Sequence, residues 1–252
     1  MDMTISTPIK KFNHAGFGKK KDFTLPILEQ INSDSGRRYK TPNGDLYPSI
    51  TTVLGLGKEE KLKGWVERVG KDEAERIKFN AASRGTIIHA LAEMYVNNEP
   101  RPSWDDERLH VKDYHRDPYL IARMWKQFRP LLDNIDVVHC QEARMYSDTL
   151  RVAGTVDCIA NYEGTLCIID YKTSTNYKKK EWIPDYFMQA TAYSIMYEEM
   201  TGIQIEDLKI LISLESNPEP LVFSEKRSNW ILPLLDARKK YDEYVDKTVD
   251  LV

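Results

Sequence analysis

Apolar residues recur at helical spacing in several stretches of the chain. Within residues 83–96 the apolar side chains fall three or four positions apart, the spacing of one face of an amphipathic helix. The same spacing predicts helices at residues 58–79, at 185–200, at 228–245, and in a segment that begins at Asp117, carries Pro118 in its first turn and is disturbed at its end by Pro130. The chain is therefore rich in amphipathic helices.

A period of two, typical of strands, replaces the helical period in much of the second half. It predicts strands at residues 135–140, 141–147, 151–162 and 165–171, and a short apolar strand at residues 208–214. A hairpin is predicted at residues 37–47, around the turn at Asn43 and Gly44. Strands that precede a crossover helix and a further strand predict a mixed α/β protein, with a central mixed β-sheet flanked by helices.

Composition and charge are those of an ordinary globular protein. The 252 residues include 30% charged and 41% hydrophobic residues, with a formal net charge of -3, which argues against a disordered or fibrous chain. No apolar run is long enough to cross a membrane, and the polar beginning of the chain argues against a secretory signal. We therefore expect a cytoplasmic protein without a membrane partner. The size of the chain fits a stand-alone protein of a bacterium or of a phage-infected cell.

Lysines are concentrated at the beginning of the chain, where apolar periodicity is absent. This pattern predicts a basic, flexible arm over residues 1–36 and one domain over residues 37–252, with a helical elaboration on its N-terminal side. The cysteines Cys140, Cys158 and Cys167 lie in predicted strands and form no CxxC pair. They are therefore interpreted as buried free thiols and not as ligands of zinc or of an iron-sulfur cluster.

Two carboxylates are predicted to lie near each other in the sheet. Asp157 and Asp170 occupy the two strands of one predicted hairpin, each among apolar neighbours, where an unpaired carboxylate is costly to desolvate. Clustered carboxylates suit a hard cation such as Mg²⁺ or Mn²⁺. Lys172 follows Asp170 by two positions and so shares its strand face. Its ammonium can then neutralise charge on a phosphate bound at such a metal.

The same residues also admit a structural interpretation. An Asp-Lys ion pair can close a strand end, with Asp157 as a turn or cap residue, since surface ion pairs are common. His89, beside the apolar face of a predicted helix, is by itself more often a packing residue than a ligand. Gln189 and Tyr193, four positions apart on a helix, are by themselves an ordinary surface pair. None of these motifs is specific alone.

Taken in order, however, the motifs resemble those of one nuclease family. They are Gly85-x-x-x-His89, Gly154-x-x-Asp157, Asp170-Tyr171-Lys172-Thr173 and Gln189-x-x-x-Tyr193. Over residues 37–215 the chain resembles the RecB-like branch of the PD-(D/E)xK nucleases, which implies a restriction-endonuclease-like core. Within that branch it is similar to the mitochondrial genome maintenance exonuclease group, because residues 47–54 resemble a segment that those proteins carry ahead of the histidine.

The resemblance implies a role for each matching residue. The implied ligands of Mg²⁺ or Mn²⁺ are His89, Asp157, Asp170 and the backbone carbonyl of Tyr171. The implied catalytic set is Lys172 with Asp157 and Asp170, supported near the DNA by Gln189 and Tyr193. Glu142 either matches an acidic residue that some members carry on an earlier strand or is an exposed strand residue. A histidine among oxygen ligands favours Mn²⁺ as activator.

Basic, aromatic and hydroxyl side chains near these motifs predict where nucleic acid lies. The predicted substrate contacts are Lys178, Lys179, Lys180, Trp182, Arg84, Ser49, Thr51 and Thr52. The lysines can contact phosphates, and Trp182, interleaved with Tyr177 and Tyr186, can stack on unpaired bases. The alternatives are a solvated lysine cluster, aromatic packing onto the sheet, and hydroxyls that serve local structure.

The function that the resemblance implies is that of a metal-dependent DNA exonuclease, which hydrolyses phosphodiester bonds. Its expected substrate is DNA that is single-stranded or has free ends, and its expected partners are proteins of DNA replication, recombination or repair. The dependence on free ends comes from the resemblance alone. Two alternatives stay open, a structure-specific or flap endonuclease and a catalytically idle nucleic-acid-binding module.

Overall fold

The computed structural model describes residues 10–19, 24–33, 35–100, 102, 107–109 and 118–249. The strands are β1 (Asn13–His14), β2 (Glu29–Ser33), β3 (Gly36–Lys40), β4 (Leu46–Pro48), β5 (Ile135–Ser147), β6 (Val152–Tyr162), β7 (Thr165–Ser174), β8 (Asp207–Leu214) and β9 (Leu221–Lys226). The helices are α1 (Ile50–Gly55), α2 (Lys58–Val69), α3 (Lys71–Val96), α4 (Pro118–Leu132), α5 (Pro184–Thr201) and α6 (Ile231–Val249). Among these described helices, none is long and apolar enough to cross a membrane.

In the described part of the chain, six strands form the central sheet, in the order β1-β5-β6-β7-β8-β9. β5, β6 and β7 pair antiparallel, β8 runs parallel to β7 after the α5 crossover, and β9 returns antiparallel at the edge. Apolar side chains form one core between the sheet and α1, α5 and α6, and a second core between the sheet and α3 and α4. The predicted mixed sheet with flanking helices is confirmed.

β6 and β7 separate at the point where the candidate carboxylates lie. The last paired residues of the two strands are Cys158 and Ile169. Before Cys158, β6 continues along β5, and after Ile169, β7 continues along β8. Asp157 and Asp170 are the first residues beyond the last pair. The fork between the strands thus leaves backbone groups available to hold these two side chains.

The N-terminal segment corrects the prediction of a flexible arm over residues 1–36. β1 extends the central sheet by pairing parallel to β5, and Phe12 and Phe17 are buried. β2 pairs antiparallel with β3, and β3 with β4, so that these strands form a second, three-stranded sheet. The prediction is therefore wrong for the described residues of this range. Buried apolar side chains, Phe12, Phe17 and Leu28, anchor this lysine-rich segment to the fold.

Several boundaries also differ from the sequence prediction. β5 is one strand of 13 residues with register shifts, where the alternation predicts two strands. Gly70, at φ 88°, separates α2 from α3, and α4 continues through Pro130.

The predicted hairpin is confirmed in β3 and β4, with Gly44 at φ 91° in its turn. The N-cap predicted at Asp117 lies outside the described residues.

Candidate active site

Asp157 is held at the fork by the backbone of β7 and by a side chain from α3. Its Oδ2 atom accepts a hydrogen bond of 2.6 Å from the backbone N–H of Tyr171, and its Oδ1 atom lies 3.4 Å from Nδ1 of His89. The other ring nitrogen of His89, Nε2, lies 2.9 Å from the backbone carbonyl oxygen of Tyr171. The structure therefore brings together three of the predicted ligand groups, from β6, β7 and α3.

Asp170 is surrounded by the remaining residues of the predicted catalytic set. Its Oδ2 atom lies 2.5 Å from Nζ of Lys172, as expected for side chains on one strand face. Its Oδ1 atom accepts a hydrogen bond of 3.1 Å from Nε2 of Gln189 on α5, which also donates to the hydroxyl of Tyr193. Asp170 is 1% exposed. These four residues thus form one contact network between β7 and α5.

The electrostatics of Asp157 and His89 favour a charged pair. Burial would raise the pKa of Asp157, but the charge of His89, its hydrogen bond and the charge of Lys172 outweigh burial and hold that pKa below its ordinary value. Burial would lower the pKa of His89, but the charge of Asp157 and the hydrogen bond to Asp157 together outweigh it, so that this pKa is raised. A carboxylate that stays ionised in a buried position is the state required of a metal ligand.

Asp170 and Lys172 form a second ionic pair, in which burial has the larger effect on the pKa of the aspartate. Burial raises the pKa of Asp170 to about 6, against the attraction of Lys172 and with the help of Asp157. Burial would lower the pKa of Lys172, but the charges of Asp170 and Asp157 outweigh it and raise that pKa. Lys172 is therefore an ammonium at neutral pH. The two aspartates are thus balanced by Lys172 and protonated His89, and only the release of the His89 proton leaves the net negative charge that favours a cation there.

Glu142 joins this group from the neighbouring strand. Gln141 pairs with Cys158 and Ala143 pairs with Val156, so that Glu142 lies opposite Asp157 on β5. Its backbone is left-handed, at φ 45°, a conformation that few residues other than glycine adopt. A cavity of about 400 Å³ lies beside Glu142 and His89 and is also lined by Glu93. The exposed carboxylate thus faces the same space as the predicted ligands.

The donor set fits a divalent metal ion. Ligand atoms of His89, Glu142 and Asp157 all lie within 4.8 Å of one another, close to the separation of about 3 to 4 Å expected for ligands at about 2.1 Å from one Mg²⁺. Carboxylates and one imidazole suit Mg²⁺ or Mn²⁺ in this mixture. Asp170 is not part of that cluster, because its oxygens contact Gln189 and Lys172. Its role as a ligand stays a prediction.

Metal affinity at this site should depend on pH. Partial desolvation beside the cavity and the charge of Asp157 raise the pKa of Glu142 to about 7. Its carboxyl group is therefore mostly neutral below that pH and must lose a proton to bind a metal. The apparent affinity for Mn²⁺, measured by calorimetry, is expected to level off only at a pH where Glu142 and His89, whose pKa is also raised, have both lost their protons. It should then fall as the pH drops below 7, by up to about tenfold per pH unit for each proton displaced.

The matched control for this pH dependence is Glu142→Gln, which removes the titrating group and keeps its shape. This variant is expected to bind Mn²⁺ more weakly at about pH 8 and to lose part of the pH dependence, because one fewer proton is displaced. If both proteins show the same affinity and the same pH profile, Glu142 is not a ligand.

Gly154 leaves room for Tyr193 beneath the site. A Cβ at Gly154 would lie 2.8 Å from Cε1 of Tyr193 and 3.3 Å from Cγ2 of Ile50. Because a ring that is 3% exposed has little space to retreat, Gly154→Ala is expected to lower the free energy of unfolding by about 1–3 kcal/mol. Urea denaturation of both proteins measures this difference.

Gly64→Ala is the matched control for that substitution. Gly64 lies in α2, and nothing stands within 4 Å of the position that its Cβ would take. The new methyl group should therefore leave the free energy of unfolding unchanged or raise it by up to about 1 kcal/mol, through helix propensity alone. Equal destabilisation by the two substitutions would contradict the steric explanation.

The surroundings of Arg84 argue against the phosphate contact that the sequence predicts for it. Arg84 is 5% exposed, and its Nη1 atom lies 2.5 Å from Oε1 of Glu215. Its guanidinium also donates hydrogen bonds of 3.1 Å to the hydroxyls of Thr173 and Thr175. Arg84 thus ties α3 to the ends of β7 and β8. The sequence does not reveal this role, because Glu215 is distant along the chain.

The hydroxyls of Ser49, Thr51 and Thr52 form a local hydrogen-bond network at the start of α1, and their contacts with phosphates stay a prediction. Ser49 caps α1 by accepting a hydrogen bond of 3.0 Å from the backbone N–H of Thr52, and its hydroxyl contacts those of both threonines. Thr52 further exchanges hydrogen bonds with the backbone of Arg37. The N-cap role is the physical reason for hydroxyl residues at this position.

The basic and aromatic surface after β7 is only partly free to bind a substrate. Trp182 is 62% exposed, and Nζ of Lys179 lies 5.4 Å from its ring centroid. Lys178 is half-buried, whereas Lys180 forms an ion pair with Glu225. Lys179 and Trp182 are therefore better placed than Lys180 to contact nucleic acid.

Three consecutive basic residues on α6, Arg238, Lys239 and Lys240, are each paired with an acidic side chain of the same helix. The ion pairs are Arg238 with Asp242, Lys239 with Glu243, and Lys240 with Asp236. Such pairs at helical spacing stabilise a solvated helix face. This cluster therefore gives no support to phosphate binding.

Comparison with known proteins identifies relatives across most of the chain. The model of the PD-(D/E)XK nuclease superfamily matches residues 62–229. Mitochondrial genome maintenance exonuclease 1 of Homo sapiens is 28% identical over 224 residues, which cover 81% of this chain and 62% of that protein. The protein of the same name from Xenopus tropicalis is 30% identical over 247 residues, covering 89% of this chain and 65% of that protein.

The chain therefore spans a little under two thirds of the length of these relatives. Among solved structures, a chain from Eubacterium rectale superposes over 64% of each chain with a TM-score of 0.43 and 12% identity, which is too distant a similarity to carry a functional conclusion.

Proposed function

The chain belongs to the PD-(D/E)XK nuclease superfamily, and from this premise we propose that it is a metal-dependent DNA exonuclease that prefers single-stranded ends. Nucleases of this superfamily generally use divalent metals. The similarity to two proteins named as exonucleases supports cleavage from DNA ends. A place in DNA replication, recombination or repair is part of the same proposal.

The observation that carries the proposal is the arrangement at the strand fork. His89, Glu142 and Asp157 present ligand atoms within 4.8 Å of one another, and the Lys172 ammonium pairs with Asp170 on the adjacent strand. A protein that only bound nucleic acid would have no physical need to confine several carboxylates beside phosphates. These residues suit phosphodiester hydrolysis, because a cation held by the carboxylates and the nearby lysine would both stabilise the negative charge on the phosphate.

Each residue has a distinct task in the proposed reaction. His89, Glu142 and Asp157 would hold the metal, with Asp170 and the carbonyl of Tyr171 beside them. When bound, the metal supplies Lewis acidity, polarising a phosphate oxygen and lowering the pKa of a water molecule.

Lys172, a charged ammonium on the same fork, would stabilise the negative charge that builds on the phosphate as the phosphodiester bond breaks. Gln189 fixes the orientation of Asp170 by donating a hydrogen bond to Oδ1. Tyr193, which shares that donor, holds Gln189 in place. The supporting pair thus acts on the catalytic carboxylate through contacts that already exist in the folded chain.

A preference for single strands is supported by the surface next to the site. Trp182 is exposed, with Lys179 over its ring, and Tyr177 is 52% exposed nearby in the chain. Exposed aromatic faces combined with cations bind unpaired bases without sequence preference. Base pairs in a duplex keep their faces stacked and would not gain this contact.

The test compares linear with circular single-stranded DNA. End-labelled linear single strands, linear duplex and closed circular single strands are incubated with the protein and Mg²⁺, Mn²⁺ or EDTA, with Lys172→Ala as the inactive control. Degradation of linear single strands that spares circles and stops in EDTA is expected. Equal cutting of circles would replace the exonuclease by an endonuclease. Metal-independent binding without any product would favour the idle binding module.

A further inference from the structure

An aromatic ring from α5 lies over the ammonium group of Lys172. The Nζ atom of Lys172 is 5.1 Å from the centroid of the Tyr186 ring, within the range of a cation–π interaction. Tyr186 precedes Gln189 by one helical turn on α5, so both side chains project toward β7 from the same side of the helix. Gln189 contacts Asp170, and Tyr186 contacts Lys172.

The ring and the carboxylate hold Lys172 by different means. Asp170 attracts the ammonium as a charge at 2.5 Å, but Asp170 is also proposed to share its negative charge with a divalent metal. A carboxylate whose charge is shared in this way attracts an ammonium less strongly. The negative face of an aromatic ring does not depend on that charge. The ring can therefore hold Lys172 when Asp170 is engaged elsewhere.

The surroundings of Tyr186 favour this contact over the base stacking that the sequence suggests. The ring is half-buried, whereas Trp182 is 62% exposed. Burial raises the pKa of the Tyr186 hydroxyl, although the charge of Lys172 opposes it. The hydroxyl thus stays neutral, and the interaction with Lys172 resides in the ring face.

We propose that Tyr186 is a positioning residue that holds the Lys172 ammonium toward the substrate phosphate, independently of the ion pair with Asp170. This inference rests on the proposed nuclease function, because that function assigns Lys172 to the reaction. The ring of Tyr186 is required, and its hydroxyl is dispensable.

Steady-state kinetics on single-stranded DNA test the proposal with the full chain. Tyr186→Phe is expected to keep kcat within about twofold of the original, whereas Tyr186→Leu should lower kcat by about tenfold with KM unchanged. Trp182→Leu is the contrast, since loss of a stacking surface should raise KM instead. A raised KM with unchanged kcat in Tyr186→Leu would overturn the proposal in favour of base stacking. Unchanged kinetics would overturn it as well.

A graded series separates the cation–π contact from simple packing. Phenylalanine with one, two or three fluorine atoms at position 186 keeps the ring shape and progressively weakens the negative ring face. A stepwise fall of log kcat along the series is expected. If the fluorinated proteins all match Tyr186→Phe, the ring acts by packing alone, and the proposal is wrong.

A measurement that needs no turnover keeps this result distinct from failure of the nuclease function. In metal-free protein, the NMR signals of the Lys172 side chain next to Nζ should be shifted upfield by the Tyr186 ring current, and Tyr186→Leu should abolish the shift. If the chain cuts no DNA, the nuclease proposal fails, and this shift alone decides whether Tyr186 holds Lys172. Absence of the shift in the original protein would overturn the inference.

Discussion

Replacement of Lys172 by alanine is expected to abolish turnover and to leave the fold and most of the DNA affinity intact. The ammonium pairs with Asp170 and is charged at neutral pH. Its proposed task is to stabilise charge that develops only in the transition state, so its loss should lower kcat far more than it weakens binding. We expect a fall in kcat of about 10³-fold, similar to the loss of a principal electrostatic group in other active sites.

Two measurements and a control variant separate this effect from general damage. Urea denaturation should show that Lys172→Ala still folds cooperatively, with a lower free energy of unfolding because buried Asp170 loses its cationic partner. Fluorescence anisotropy with labelled single-stranded DNA should show nearly unchanged affinity. Lys209→Ala is the matched control. Lys209 lies on the adjacent strand β8, likewise over an aromatic ring, with Nζ 5.1 Å from the Tyr162 centroid, but has no role in the proposed site. Weaker binding by Lys172→Ala with kcat retained would contradict the assigned role.

The part of this site that the sequence predicts is the part that strand periodicity determines. Asp170 and Lys172 share a face because side chains alternate along a strand, and their contact follows directly. The spacing of Gln189 and Tyr193 on one helix likewise predicts their contact. Periodicity also predicts the succession of strands and helices along the chain. It does not predict the fork between β6 and β7, because the hydrophobic pattern is the same whether or not two strands are paired.

Residues that depend on distant partners are the ones that sequence reasoning misplaces. Arg84 is adjacent to a glycine in the helical motif and has the chemistry of a phosphate contact, yet it is buried against Glu215. Glu142 is assigned to the site by the register of β5 against β6 and by a left-handed backbone. No local residue pattern reports either feature, because both arise from pairing across the fold.

Asp157→Asn is expected to abolish measurable metal binding and, with it, activity. Asp157 is the only member of the set that contacts both His89 and the backbone of β7 among the hydrogen bonds and ion pairs of the described residues. An asparagine oxygen can still accept the hydrogen bond from Tyr171, so the fork should keep its shape. The amide has no charge, however, and cannot hold His89 as a charged partner or contribute a carboxylate to a cation.

Calorimetry with Mn²⁺ measures this loss without any substrate. The affinity of Asp157→Asn should be at least about 100-fold lower than that of the original chain, since even residues that only support metal ligands contribute up to about that factor. Asp148→Asn is the control, because Asp148 is exposed and bonds to Tyr47 away from the fork, and it should bind Mn²⁺ normally. If Asp157→Asn binds Mn²⁺ as tightly as the control, the cation is held by other residues. The proposed centre would then have to be rebuilt around Asp170.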